Sequence, residues 1–427
     1  MTPISVLADD HPVAPRGRGG RDLPFLWAKL PEAPFRSLSI QHEKSSNQRE
    51  YSNRDLFAEL IDPCRERGIK VYGRILEAGM RRADRIPGYE SVATVDLEGK
   101  PGLGPCWNHP EYLEWVRLTI ETTMKAYPLD GFQYGAERVG ALSDVLFRGI
   151  APACFCDHCD LRNRNAGTDP ERAREGYRQL FDLIKRVERT DERPADGMMA
   201  SVIRVVMRYP EVLSWYRQWF QADSEIQTLV YQTAKRVRPE ADVGQHVDHQ
   251  RSSWDLFYRA AVTYEEMAQQ NDFIKPIVYH DIIGPRLKEW VIDRNRERIL
   301  RDFSEQEALE IFYGLFGHSS ASQPDYEGLS HRGLTPEYVF REISRCVAGV
   351  GEQAKVYAGI GFDIPHYVPN GMKKFPSDPE TTYEATKRAI EAGASGVIAS
   401  REYSEMTVPN LQAFGRAVRE AHGRNDF

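Results

Sequence analysis

Eight short apolar runs recur along the chain, and helical patterns separate most of them. The runs are LPFLWAKL (23–30), FRSLSIQ (35–41), KVYGRILEA (70–78), LDGFQYGAE (129–137), ADVGQHVDH (241–249), FIKPIVYHD (273–281), KVYAGIGFD (355–363) and SGVIASREY (395–403). Helical patterns occupy 54–68, 110–127, 254–270, 336–350, 381–393 and 410–422. Parallel strands can be joined only by a crossover, usually a helix, so this alternation predicts a parallel sheet wrapped by helices. Eight units predict an α/β fold of the (β/α)8 TIM-barrel type. No helix fits between Leu30 and Phe35, so either the first strand is irregular or the barrel is incomplete.

The chain has 427 residues, more than a minimal barrel needs. The excess falls into two helical insertions, at about 138–240 and about 284–335. Both leave from C-terminal strand ends, the face on which barrels carry their sites. Residues 1–22 are rich in Pro, Gly and Arg and read as a flexible N-terminal arm, with the barrel over 23–427. A net charge of −7 gives no basic surface for nucleic acid. No stretch reaches a membrane-spanning length and the start lacks an apolar signal core, so a cytoplasmic protein is the expectation. No Gly-rich phosphate loop follows a strand, which argues against a nucleotide enzyme. A homo-oligomer is compatible with all of this.

Six cysteines in so long a chain are not a disulfide framework, yet four of them lie between Cys106 and Cys159. Cys154, Cys156 and Cys159 form C-x-C-x-x-C, and Cys106 stands upstream in GPCWNHPEY. Four thiolates close a tetrahedral shell without leaving a place for water, which points to structural zinc; reduced cysteines in a loop are the alternative. Cys64 and Cys346 sit in apolar helical patterns and read as core residues.

Residues from about 100 to 165 resemble glycoside hydrolase family 42, the β-galactosidase family, within a broader group of glycosyl hydrolase-like barrels. The family has a G-F-Q-x-x-N-E strand end, a cysteine before the preceding helix and a C-x-C-x-x-C loop after the strand. Gly131, Phe132, Gln133 and Glu137 match the first, and Cys106, Cys154, Cys156 and Cys159 match the rest in order. The resemblance implies that Glu137 is a catalytic acid/base and that the four cysteines hold zinc. Two positions depart from it. Ala136 stands where the family has asparagine, and Asp363 lies on the seventh strand, where the family supplies a glutamate nucleophile.

Glycoside hydrolysis needs two carboxyl groups facing the scissile bond. Glu77, Glu137, Asp248, Asp281, Asp363 and Glu402 all lie at C-terminal strand ends. Glu402 (beside Arg401 and Tyr403), Asp363 and Asp281 compete as the partner of Glu137, which could instead pair with Arg138 or Arg74 in a charge network. Arg74, Tyr134, His246, Asp248, Tyr279 and His280 are candidate substrate-binding residues, joined by His249, Gln41 and Glu43 on the same rim. The leading expectation is therefore a glycosidase acting on a small-molecule or oligosaccharide substrate in carbohydrate metabolism. Histidine with carboxylate can also hold a catalytic Zn²⁺ or Mn²⁺, so a metal-dependent sugar isomerase or lyase is one alternative. A carbohydrate-binding barrel without catalysis is the other.

Overall fold

A computed structural model of the protein describes residues 5–7, 56–76, 91–190, 192–368, 371–373, 375–400, 406–421 and 423. Seven strands pair in one wholly parallel sheet: β1 (Ser5–Leu7), β2 (Lys70–Leu76), β3 (Gly131–Gly135), β4 (Asp242–Val247), β5 (Phe273–Pro276), β6 (Lys355–Ile360) and β7 (Gly396–Ala399). Six of the eight anticipated runs are β2 to β7. The runs at 23–30 and 35–41 lie outside the described residues, as do Gln41, Glu43, Glu77 and Glu402. β1 falls within the stretch read as an arm, where Val6 pairs with Val71 of β2.

The sheet curls. Strands lie about 4.8 Å apart, so three steps across a flat sheet cover about 14 Å. Tyr72 of β2 and Phe273 of β5 are three strands apart, yet their rings meet edge to face at 5.9 Å. Glycine makes this contact possible. A Cβ at Gly131 would come 2.2 Å from the Tyr72 ring, and one at Gly244 would come 2.4 Å from Phe273. Tyr357 of β6 joins them, with its ring 5.3 Å from Phe273, and the three form an aromatic floor in the lumen.

The longer helices are α1 (Leu56–Glu66), α2 (Pro110–Ala126), α3 (Asp157–Asn165), α4 (Pro170–Thr190), α5 (Met198–Arg208), α6 (Glu211–Val237), α7 (Glu305–Phe316), α8 (Pro336–Val350), α9 (Pro379–Glu391) and α10 (Val408–Ala421). Helices α1, α2, α6, α8 and α9 cover outward residues of the strands, whereas α3, α4 and α5 pack on α6, and α10 packs on α9. Val71, Phe132 and Val243 meet Trp115, Ile120 and Ile226 on one side. On the other, Ile274, Val356 and Ala358 meet Tyr338, Ile343 and Ala385. Burying such side chains contributes about 1.5–3 kcal/mol each. None of the described helices is long and apolar enough to cross a membrane.

One anticipated helix differs. The stretch 254–270 is two short helices, Leu256–Ala261 and Tyr264–Ala268. Asp255 caps the first, accepting from the amide of Tyr258, and Thr263 with Glu266 forms a capping box that starts the second. Two start signals eight residues apart leave room for two single-turn pieces rather than one helix.

Candidate active site

Strand phase decides which side chains enter the lumen, because successive residues point to opposite faces. On β3, Phe132 and Tyr134 belong to the outer apolar cluster, so Gly131, Gln133 and Gly135 face inward. Tyr134 is thus buried against the helix layer, away from the mouth where substrate contact was anticipated. Above the aromatic floor the lumen turns polar. Arg74 and Gln133 are cross-strand partners, as are His246 and Lys275, and all four are buried. Buried cations demand anionic or hydrogen-bonding company, so this lumen is built for polar contacts rather than for packing alone.

Glu137 lies two residues beyond β3. Its Oε1 lies 3.5 Å from Nε2 of His246, the penultimate residue of β4. Gly135 leaves room for that histidine, since a Cβ there would come 2.8 Å from the Cβ of His246. Asp248 completes the group: one ligand-capable atom from each of Glu137, His246 and Asp248 lies within 4.8 Å of the others. Burial pushes the His246 imidazole down to about 4, with Arg74 also opposing its charge and Glu137 favouring it. At neutral pH it is therefore uncharged. Burial works against ionisation of Asp248, but the adjacent His249 outweighs it and holds the carboxyl below its usual range. His249 Nδ1 lies 3.0 Å from Asp248 Oδ1, and the amide of Gln250 donates to Oδ2 at 3.2 Å.

Both neighbours of Glu137 are tethered. Arg251 donates to the carbonyl of Ala136 at 3.1 Å, while also pairing with buried Asp223 and lying over the ring of Tyr258. Arg138 donates to the carbonyl of Pro105 at 2.6 Å and stacks on Trp107.

The remaining rim residues form a second group. His280 Nε2 lies 2.8 Å from Asp281, whose carboxyl also accepts from Thr381. Here too burial opposes the charge and His280 outweighs it. Tyr279 bonds Ser400 at 2.8 Å, and its ring lies 5.7 Å from that of His249. Asp363 has a different position. Its backbone is left-handed, with φ 56°, and its carboxylate accepts from Thr407, Asn410 and Ser377. It ties the loop after β6 to the start of α10. The mouth also contains Lys275, Arg286, Trp254 and Trp290, none of which the sequence reading singled out. A lone lysine inside the apolar run FIKPIVY was the available signal for the first; Arg286, 3.4 Å from His249, had none.

The four cysteines converge beside this site. Cys106 Sγ lies 3.5 Å from Cys156 and 3.6 Å from Cys159, and all four sulfurs fall within 4.8 Å of one another. Zinc bound at about 2.3 Å to four thiolates gives sulfur–sulfur edges of about 3.8 Å, close to these distances. Amide donors suit thiolates: Val95 N–H points at Cys154, and Asn108 reaches Cys106 through its backbone and Cys159 through its side chain. The group can hold one metal ion.

No protein-family model matches the sequence, and no curated protein sequence matches it. Similarity appears at the level of the fold. A β-galactosidase from the Antarctic haloarchaeon Halorubrum lacusprofundi superposes with a TM-score of 0.53 at 11% identity, covering 98% of this chain and 58% of its own. One from the psychrophilic Marinomonas ef1 gives 0.52 at 12% identity, covering 99% of this chain and 60% of its own. The protein thus spans about three-fifths of the length of these β-galactosidases, and its curled parallel sheet with flanking helices is similar to their fold; among the described residues seven strands, not eight, pair in that sheet.

Proposed function

We propose that the protein hydrolyses a glycosidic bond with retention of configuration, using Glu137 as proton donor and Asp248 as nucleophile. The supporting observation is the convergence of the two carboxyl groups within 4.8 Å at adjacent strand ends. Retaining enzymes hold their pair about 5–5.5 Å apart, whereas inverting ones need about 6.5–9.5 Å to admit water. Glu137 protonates the leaving oxygen while an oxygen of Asp248 bonds to the anomeric carbon. Water, deprotonated by Glu137, then displaces Asp248 from the same carbon. Neutral His246 bridges the pair as a hydrogen-bonding group, and Arg74, Gln133 and Lys275 supply polar contacts beneath. Asp281 and Asp363 are less suited to attack because neither falls in the close group that contains Glu137, and the carboxylate of Asp363 is filled by three donor residues. In this reading a zinc ion held by Cys106, Cys154, Cys156 and Cys159 braces the loop beside Glu137.

The same three residues also suit a divalent cation, since they offer mixed nitrogen and oxygen donors. That second reading would make the protein a metal-dependent sugar isomerase or lyase. Arg74 and Lys275 oppose it, because both are close enough to disfavour positive charge on His246. Incubation with 2-deoxy-2-fluoro glycosides of both anomers, followed by peptide mass mapping, tests the proposal. A glycosyl group on Asp248 supports it; labelling of Glu402, or turnover only with added metal, contradicts it.

A further inference from the structure

Beside Asp248 and His249 opens a cavity of about 270 Å³. Trp254 and Trp290 wall it, and Arg148, Arg294, Gln250 and Asn295 supply its polar lining. It lies next to the site already described. Gln250 is two residues from Asp248, the ring of Trp254 lies 4.8 Å from that of His249, and Trp290 lies under Arg286, which contacts His249.

Two independent features mark this cavity as a binding place. The first is charge. Arg148 is matched by Asp144 at 2.8 Å and Arg298 by Glu188, but among the described residues no carboxylate lies within 4.0 Å of Arg294. Arg294 is itself exposed, with its guanidinium 5.9 Å from the centroid of Trp290; Arg148 and Arg298 oppose its charge, and Glu289 and Glu297 favour it without contacting it. The carboxylate that does line the cavity, Asp255, is engaged by the Ser143 hydroxyl and the Tyr258 amide. The second feature is Asn295, 6% exposed, whose side-chain oxygen has no hydrogen-bond partner. An unsatisfied buried acceptor calls for a donor such as a hydroxyl. Aromatic walls, a hydroxyl acceptor and an unmatched guanidinium together describe a sugar ring bearing an anion.

We infer that this cavity is a subsite for a uronic acid residue, so that the substrate is an acidic oligosaccharide. The inference rests on the glycosidase reading for its catalytic meaning, but not for its binding meaning. A planar carboxylate matches the fork of Arg294, the ring stacks on Trp254, since Trp290 already carries Arg286 and His366, and a hydroxyl donates to Asn295.

Titration of the whole protein with methyl β-D-glucuronide and methyl β-D-glucoside, followed by tryptophan fluorescence at low salt, tests this. The glucuronide should bind about tenfold or more tightly than the glucoside. Arg294→Gln should abolish that preference, and Trp254→Phe should weaken the binding of both glycosides. Equal binding of the two glycosides, a preference that survives Arg294→Gln, or equal quenching by inorganic sulfate would overturn the inference. Selective glucuronide binding without turnover of any glycoside would sink the catalytic proposal alone. Cleavage of neutral glycosides without selective binding would sink the subsite alone.

Discussion

The guanidinium carbon of Arg138 lies 4.1 Å from the centroid of the Trp107 ring, so the residue after Glu137 leans on the residue after Cys106. This contact joins the segment that carries Cys106 to the segment that carries Glu137. A stacked cation of this kind contributes about 0.5–2 kcal/mol. Arg138→Ala should therefore lower kcat by about tenfold with little change in melting temperature, since tenfold in rate corresponds to about 1.4 kcal/mol. Unchanged kcat would show that the contact does not position Glu137.

Metal content follows from the same contact. Protein purified without added metal should carry about one zinc per chain, and Cys159→Ser should lower both zinc content and melting temperature. The loss of activity should track the loss of zinc, because the loop that carries Trp107 loosens. A zinc-free protein with unchanged melting behaviour would refute the structural-zinc reading.

The Glu137 loop is also held from the opposite side. Arg251, buried with Asp223, donates to the carbonyl of Ala136. Asp223→Asn would leave a buried guanidinium without its counter-charge, and breaking such a pair costs about 3–5 kcal/mol. Urea unfolding should show a loss of that size; a change below about 1 kcal/mol would mean that solvent or another carboxylate compensates.

Much of the architecture could be read from the sequence because strands and crossover helices leave strong periodic marks. Six apolar runs became β2 to β7, and the cysteines converged as their spacing suggested. Phase was harder to read. Tyr134 was an obvious polar-tipped aromatic near the strand end, yet it is Gln133 that faces inward, flanked by Gly131 and Gly135 on the same face. Alternate glycines were the available clue, since the crowded lumen needs them at Gly131 and Gly135. Asp363 looked like a rim acid, but its left-handed backbone and helix-tying role depend on Thr407 and Asn410, more than 40 positions away. The pairing of Glu137 with Asp248 likewise depends on the register of β3 against β4, which strand composition does not encode.

Acid stability should depend on His318. This buried imidazole, 6% exposed and far in sequence from the mouth, is pushed down to about 4 by burial. Its folded-state value is depressed, so its neutral form is fully compatible with folding above the unfolded value of about 6.5. As pH falls from about 6.5 toward 4 the unfolded state takes up the proton first, and stability drops by about 3 kcal/mol over that window. His246 should act in the same direction. His318→Phe should flatten the decline of melting temperature between pH 7 and pH 4. A parallel decline in both proteins would show that this histidine is not the acid-sensitive group.

Chelation separates the two chemical readings of the mouth, whereas Asp248→Asn should disable either, as nucleophile or as ligand. If Asp248 attacks carbon, turnover should fall on the order of 10³-fold or more, and prolonged EDTA should leave the native enzyme active. Loss of activity in EDTA with recovery on Mn²⁺ or Zn²⁺, under conditions that retain the cysteine-bound metal, would favour the isomerase or lyase reading.

The most direct measurement is the turnover of Glu137→Gln across aryl glycosides of graded leaving-group acidity. Glutamine keeps the shape of the side chain and removes its proton. If Glu137 donates to the leaving oxygen, the loss should be on the order of 10²-fold or more for poor leaving groups and much smaller for nitrophenyl glycosides, which depart without protonation. A loss that does not vary with the leaving group, or no loss at all, would contradict the assignment of Glu137 as the acid at this barrel mouth.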